Sequence, residues 1–501
     1  MKKISILFVI FLCNWNLFSR PIVKTEIDKG YWYKQLIYFP KDIKDKELLP
    51  LVIISHGNGH NYKQYKYLQE HLASKGFIVV SHTNRTGPGI ESASTTTLEN
   101  TDVFFDNISE IDNGTLQGNV DRNKIAWIGH SRGGEGVVRA YTKLRNNKFT
   151  PKHYNANSIK LISSISPTTH LSSKKSDPLD VNYHMFYGGA DGDVRGNPRS
   201  GSMPLALYEN GKGEKQLTYV QGAGHNVFND SSSDEGQGPD RLKREDVHLI
   251  SKITYEYLLN CYLLGDQVSK KYFVSNWSYL RPKGIPIKIP ISNDYKPALK
   301  DLNIKVLDNF QEDQVQKESQ FTFDVDNLKK GHFKDSDGSL KFTAKDHFNG
   351  MTRFYRKEKI NKSSSQGVGF DWNKDSYLKY TFIETIDLTY FSALSFRAAQ
   401  GTQHPLTIEL DSSVTFSIEI KDENGLSQIV SIEPFGEVLT PYKRSGGWAN
   451  EFNIVRIPLN EIKVLNLDID FTRIKEITFL FGPDYGSPFG RLFFDDLLLI
   501  K

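Results

Sequence analysis

A serine between two glycines, placed directly after an apolar run and directly before a helical pattern, constrains this chain of 501 residues most. Residues 125–128 are apolar, and residues 129–133 read Gly-His-Ser-Arg-Gly. In this setting the pattern predicts a sharp, strained turn that raises the hydroxyl of Ser131 above the edge of a sheet. The next N–H, that of Arg132, then starts a helix, where developing negative charge is stabilised. An ordinary glycine-rich turn between a strand and a helix, with no catalytic role, has the same pattern. Residues elsewhere in the chain must therefore distinguish the two interpretations.

An acid and then a histidine follow the serine in the chain order that such a turn requires. Asp191 and His225 each lie in a loop that follows a predicted strand. Because the carboxyl ends of parallel strands meet at one edge of a sheet, both side chains are expected to approach Ser131. Asp193 is the competing acid, and the spacing alone does not decide between the two carboxylates.

An earlier loop is the candidate for the second half of an oxyanion hole. Residues 53–59 read Ile-Ile-Ser-His-Gly-Asn-Gly, an apolar strand that ends in a glycine-flanked loop. The backbone N–H of Asn58 is expected to bind an oxyanion together with that of Arg132. A plain turn with a local asparagine cap is the alternative interpretation.

These residues predict acyl transfer. His225 takes the proton of Ser131, the serine oxygen attacks a carbonyl carbon, and Asp191 holds the imidazole in the productive tautomer. No metal or other cofactor is expected, because three nearby histidines lack the spacing of a zinc site and are interpreted as loop and strand-end residues: His56, His60 and His82.

The chain divides into regions of different patterning. Residues 20–264 alternate strand and helix signals, which predicts a doubly wound α/β sheet. Prolines punctuate residues 265–305, which predicts a linker or an extended strap. Alternating strands over 306–501 predict an all-β sandwich or jelly roll.

Two motifs of the first region carry a family resemblance. The stretch 51–80 resembles α/β-hydrolases of the dienelactone-hydrolase and platelet-activating-factor acetylhydrolase-like group, and residues 129–134 resemble the elbow of chlorophyllases. Bacterial polyester hydrolases have a similar elbow, with Met at the position of Arg132. The resemblance implies an α/β-hydrolase domain over about half the chain. It also favours Asp191 as the acid, because Gly188, Asp191 and Val194 fit the Gly-x-x-Asp-x-x-Val pattern of the group.

The last region opens with Val-Leu-Asp-Asn-Phe at 306–310, contains Val-Arg-Ile-Pro-Leu at 455–459 and closes with Gly-Arg-Leu-Phe-Phe-Asp-Asp-Leu at 490–497. These stretches resemble the jelly rolls of carbohydrate-binding modules and galactose-binding-like folds. Trp372 and Trp448 are candidates for stacking on sugar rings, although such residues belong more often to a core. Asp495 and Asp496 are candidate calcium ligands, with a solvated strand end as the more common alternative. The alternative interpretation of the whole domain is a structural appendage that stabilises the hydrolase domain or covers its cleft.

The N-terminus has the pattern of a targeting segment. Lys2 and Lys3 precede an uncharged apolar run over 4–12, which predicts a signal peptide over residues 1–19. Its removal would leave Cys261 as the single cysteine, so no intramolecular disulfide is expected. The protein is thus expected to be secreted, periplasmic or held at the cell surface. No membrane span is predicted after the signal peptide.

The leading hypothesis is an exported serine hydrolase of carboxylic esters, with a small-molecule, lipid or polymer ester as substrate. A serine peptidase or amidase uses the same three residues and stays open. A surface carbohydrate-binding protein with a secondary hydrolase half is the alternative from another class, and it would take a glycan through residues 306–501. The net charge of +4 and the lack of a basic block make nucleic acid an unexpected partner.

Overall fold

The computed structural model describes residues 19–171, 175–195, 205–274, 281–298, 304–308, 321–326, 329–332, 368–401, 404–444, 448–449 and 452–501. Apart from Ser19, the predicted signal peptide lies outside these residues. Among the described residues, the first nine strands form one mixed sheet, and the later strands form two antiparallel sheets. The chain therefore combines an α/β unit with a β unit that follows it. No described helix is both long and apolar enough to cross a lipid bilayer.

The mixed sheet has six parallel strands at its centre. Its strands are β1 (Ile22–Asp28), β2 (Lys34–Pro40), β3 (Leu49–Ser55), β4 (Ile78–His82), β5 (Val120–His130), β6 (Ile159–Ile165), β7 (Asn182–Gly188), β8 (Lys215–Val220) and β9 (Ile291–Lys296). They lie in the order β1-β2-β4-β3-β5-β6-β7-β8-β9. The strands from β4 to β8 in that order are parallel. The β1–β2, β2–β4 and β8–β9 pairs are antiparallel.

Helices cover both faces of this sheet. They are α1 (Lys66–Ser74), α2 (Ile90–Asp106), α3 (Arg132–Arg145), α4 (Leu205–Asn210), α5 (Arg244–Leu264) and α6 (Gln267–Val274). Trp127 of β5 packs in one core with residues of α2 and α3, whereas its neighbour Ile128 packs in the other core with residues of α1 and α5. Alternate residues of a strand point to opposite faces, so a strand covered on both faces reads as a continuous apolar run.

The described part of residues 265–305 differs from the predicted linker. Residues 267–274 form α6, and β9 pairs with β8 along its whole length, from Ile291 opposite Val220 to Lys296 opposite Lys215. Proline cannot donate a ladder hydrogen bond, but the prolines at 282, 286 and 290 all precede the strand and leave it free to pair. The mixed sheet therefore extends to residue 296, beyond the boundary predicted at 264.

The described strands of the β unit form two antiparallel sheets. One has the order β12-β13-β20-β15-β18, with β10 also paired to β20, and the other has the order β11-β14-β19-β16-β17. The strands are β10 (Ile304–Asp308), β11 (Phe321–Asp326), β12 (Lys329–His332), β13 (Val368–Trp372), β14 (Ser376–Ile386), β15 (Ala393–Gln400), β16 (Ser417–Asp422), β17 (Ser427–Ser431), β18 (Asn453–Pro458), β19 (Ile474–Phe481) and β20 (Gly490–Ile500). Among the described residues of this unit, α7 (Pro405–Leu410) lies between β15 and β16, and α8 (Leu459–Leu465) lies between β18 and β19.

Phenylalanine rings from both sheets form the core of the β unit. Phe396 of β15 contacts Phe479 of β19 with 5.3 Å between ring centroids, and Phe494 of β20 lies 5.3 Å from the same Phe479 ring. Trp372 belongs to this core, because its ring is buried and its Nε1 donates a hydrogen bond to the Ser487 carbonyl at 3.0 Å. It is therefore not available to stack on a sugar. Trp448 is half-buried, with the Lys443 ammonium 5.4 Å from its ring centroid.

Asp495 and Asp496 are neither a solvated strand end nor free carboxylates awaiting calcium, which corrects both interpretations. Both pair with the buried guanidinium of Arg397, which also lies 3.2 Å from Asp294 of β9. Although burial opposes its charge, Lys296 and Arg397 hold the pKa of Asp496 well below its usual range. One cation of the β unit thus compensates buried carboxylates from both units.

Removing this guanidinium should destabilise the protein strongly. We expect Arg397→Met to lower the free energy of unfolding by about 3–5 kcal/mol, because buried carboxylates would lose their cation. Denaturant unfolding followed by circular dichroism measures the effect. Arg473→Met is the matched control, since Arg473 pairs with Glu423 at 2.6 Å but is 57% exposed. Its expected cost is below about 1 kcal/mol. Equal effects of the two substitutions would contradict the proposed importance of the buried cluster.

Candidate active site

Ser131 lies in a strained turn between β5 and α3. Its φ is 55° and its ψ is −123°, a conformation that L-residues rarely adopt. The flanking glycines are required by space, because a Cβ on Gly129 would lie 2.2 Å from the Gly133 carbonyl oxygen. A Cβ on Gly133 would lie 2.3 Å from the carbonyl oxygen of Ser55. The two glycines let β3, β5 and α3 approach closely enough to present the serine.

The predicted acid and base lie together in the fold. Nδ1 of His225 lies 2.8 Å from Oδ2 of Asp191, and both side chains are buried. The other carboxylate oxygen of Asp191 accepts hydrogen bonds from the backbone N–H groups of Asp193 (2.9 Å) and Val194 (2.7 Å). A carboxylate held in this way accepts from Nδ1–H and leaves Nε2 as the unprotonated nitrogen of a neutral ring.

Asp193, the competing acid, faces the opposite nitrogen of the ring. Its Oδ2 lies 3.6 Å from Nε2 of His225, and its side chain is 60% exposed. Burial opposes a charge on His225, but the carboxylates of Asp191, Asp193 and Glu235 together hold its pKa above the usual value. The neutral ring that could act as a base therefore becomes populated at a higher pH than in a free histidine.

One cavity of about 570 Å³ contains both Ser131 and His225. The candidate residues follow β3, β5, β7 and β8, so the carboxyl edge of the parallel strands gathers them as expected. Among the described residues, no hydrogen bond joins the Ser131 hydroxyl to His225, and such bonds often tighten only around a substrate. The described lining is polar apart from glycine backbone and the single aliphatic residue Val194. It comprises Asn58, His60, Ser131, Arg132, Thr168, His170, Gly192, Asp193, Val194, His225, Glu235, Gly236 and Gln237.

The two residues predicted to supply oxyanion N–H groups are linked through Thr86. Its hydroxyl donates to Oδ1 of Asn58 at 3.4 Å, and its carbonyl accepts from the Arg132 guanidinium at 3.1 Å. Arg132 is the first residue of α3, and the first N–H groups of a helix have no partner within it. Both residues border the cavity that contains Ser131.

His130 is a supporting residue that sequence analysis did not identify. Its Nε2 lies 3.1 Å from the carbonyl oxygen of His225, which can only accept, so Nε2 carries the proton. Its Nδ1 then accepts from the Tyr65 hydroxyl at 3.0 Å. Burial holds the pKa of His130 well below its usual value, which agrees with this neutral tautomer. His130 thus holds the backbone of His225 in place. Its position next to Ser131 in the sequence was the signal that could have identified it as a supporting residue.

Glu135 is a second such residue. Its buried carboxylate accepts hydrogen bonds from the hydroxyls of Thr168 and Ser176 and from the N–H groups of His170 and Leu171, at 2.7–3.1 Å. These bonds satisfy the charge of Glu135 and hold the loop after β6 against α3. Because Thr168 and His170 line the cavity, the carboxylate shapes one of its walls.

A cation has one geometric candidate site among the described residues. Asp193, His225 and Glu235 each offer a ligand atom, and these atoms lie within 4.8 Å of one another. A metal there would take Nε2 of His225, the atom that acyl transfer needs as a base, so the two roles compete. Two of the histidines considered earlier have protein partners, since Nε2 of His56 accepts from the Asn84 N–H and Nε2 of His82 bonds the Ser55 hydroxyl.

An elbow serine and a histidine–carboxylate pair at the carboxyl edge of a parallel sheet are features of hydrolases of the α/β class. The chlorophyllase family model matches residues 34–149, about a quarter of the chain. The resemblance of the elbow to chlorophyllases is therefore confirmed over this range, which includes Asn58, Ser131 and Arg132 but ends before Asp191 and His225. No curated protein matches the chain.

Proposed function

We propose that this protein is an α/β-hydrolase that cleaves carboxylic esters through an acyl-enzyme on Ser131. The observation that carries the proposal is the buried Asp191–His225 pair, whose imidazole lines the same cavity as a serine held at a φ of 55°. The match to the chlorophyllase family model supports esters as the substrate class, because that family suggests a hydrolase that acts on esters. The predicted signal peptide supports export to the cell surface, the periplasm or the medium.

The mechanism follows from the proton positions. Nδ1 of His225 keeps its proton toward Asp191, so Nε2 accepts the proton of Ser131 as the serine oxygen bonds to the ester carbon. The backbone N–H groups of Asn58 and Arg132 stabilise the oxyanion. The protonated His225 then gives its proton to the leaving alcohol, and water releases the acid by the same sequence of transfers.

The polar lining of the cavity offers little apolar surface to a long acyl chain. A buried methylene contributes about 0.8 kcal/mol where an apolar wall receives it. Among the described lining residues only Val194 offers aliphatic contact, so a long acyl chain would gain little. We therefore expect no gain with chain length: kcat/KM for p-nitrophenyl decanoate should not exceed that for the acetate or the butyrate. A chain-length series on the full chain, corrected for the rate of Ser131→Ala, measures this directly.

The same series distinguishes the competing interpretations. A preference for the decanoate would contradict the polar cavity as the acyl site. Turnover of peptide p-nitroanilides with no turnover of any ester would replace the esterase by an amidase or peptidase, which uses the same three residues. The absence of turnover on both classes would contradict the proposed hydrolase.

A further inference from the structure

The β unit contacts the two loops that carry Asp191 and His225. The Thr440 carbonyl accepts a hydrogen bond from the Gln221 side chain at 2.5 Å, just after β8. Tyr442 packs so closely on the loop after His225 that a Cβ on Gly238 would lie 2.6 Å from its ring. Tyr442 and Ala449 also form a small buried cluster with Ala190, the residue before Asp191. Part of the β unit is therefore built against the site.

Arg444 of the same segment binds the turn that contains the acid. Its Nη1 donates to the carbonyl of Asp191 at 3.2 Å, and its Nη2 donates to the carbonyl of Arg195 at 3.3 Å. These two carbonyls lie on either side of Asp193 and Val194, whose N–H groups hold the Asp191 carboxylate. The guanidinium thus joins the start and the end of the turn that aims the carboxylate at His225.

Burial makes this contact unusual. Arg444 is 8% exposed, and a buried cation is costly unless its hydrogen bonds and charge are compensated. Burial lowers its pKa, an effect that the negative charge of Asp191 opposes. The planar fork of an arginine reaches two acceptors at fixed separation, which a lysine ammonium on a flexible stem does less well.

We propose that Arg444 is a positioning residue through which the β unit completes the active site, by holding the 191–195 turn so that Asp191 meets Nδ1 of His225. The inference rests on the proposed function, since it assigns Asp191 its role there. It gives the β unit a part in the reaction that does not depend on its binding any ligand.

Replacing the guanidinium in the full-length protein tests this proposal. For Arg444→Met we expect kcat on p-nitrophenyl acetate to fall by roughly 10- to 100-fold with KM changed less than about twofold, because Arg444 is not among the described residues that line the cavity. The low-field proton resonance of the His225 Nδ1–H hydrogen bond should weaken or broaden. Arg444→Lys, which keeps the charge and one donor to a carbonyl, should recover kcat to within about fivefold of the wild type.

Lys443→Met is the matched control. Lys443 is the preceding residue, is exposed and pairs with Asp411 on the surface, so its loss should leave kcat, KM and the low-field resonance unchanged. A normal kcat and resonance in Arg444→Met would overturn the proposal. So would a fall in kcat that the fraction of unfolded protein, read from the melting curve, fully explains. If the proposed function itself were wrong, Ser131→Ala would hydrolyse p-nitrophenyl acetate as fast as the wild type does, which distinguishes that failure from a failure of the Arg444 proposal.

Discussion

Substitution of Ser131 by alanine should reduce kcat for p-nitrophenyl acetate by about 10⁴- to 10⁶-fold. The acyl-enzyme forms on the serine oxygen, and neither His225 nor the oxyanion N–H groups can replace that bond. Alanine keeps the Cβ and hence the same constraint at a φ of 55°, so the melting temperature should change little. The loss should therefore be chemical, with the folded state retained.

A second serine provides a matched control. Ser166, which follows β6, is also buried and also has a positive φ, of 41°. Ser166→Ala should keep kcat within a few-fold of the wild type and should still react with a fluorophosphonate probe, whereas Ser131→Ala should not be labelled. Turnover by Ser131→Ala above a tenth of the wild-type rate would contradict the assignment of the nucleophile.

Local sterics explain why the elbow could be predicted from the sequence. The requirement for Gly129 and Gly133 arises from atoms within a few residues and from the adjacent strand β3, so it appears as a short pattern. The parallel strands were predictable for a similar reason, since burial on both faces gives continuous apolar runs. The residue pattern alone did not decide between Asp191 and Asp193 as the acid, because both lie in the same turn. The backbone hydrogen bonds of that turn orient the Asp191 carboxylate toward Nδ1 of His225.

Some contacts between distant parts of the chain have no local sequence pattern and could not be predicted. Strand β9 forms because the edge of β8 is free to pair with it. The prolines in the sequence around β9 give no indication of that edge. The carboxylates of Asp495 and Asp294 meet at Arg397, which lies 98 and 103 residues away from them in the chain. The contact between Arg444 and Asp191 spans 253 residues. Charged residues in such positions look like ordinary surface residues until the fold buries them together.

The two acids in the 191–195 turn should respond differently to the same change. In Asp191→Asn the remaining oxygen can still accept from the N–H groups of Asp193 and Val194, so the amide nitrogen faces Nδ1 of His225. An NH₂ group there can only donate, which forces the proton of the ring onto Nε2. That tautomer cannot accept the proton of Ser131. We expect kcat to fall by about 10⁴-fold with little change in stability.

Asp193→Asn keeps the pair at Nδ1 and removes a carboxylate near Nε2, so kcat should stay within a few-fold of the wild type. Since Asp193 helps to raise the pKa of His225, its removal should lower that pKa. The base must be neutral, so the acid limb of the pH profile of kcat/KM should move to lower pH. The other titratable groups near the ring are retained in this variant: Asp191, Glu235, His60 and His130. A 10⁴-fold loss in Asp193→Asn with mild effects in Asp191→Asn would reverse the assignment of the acid.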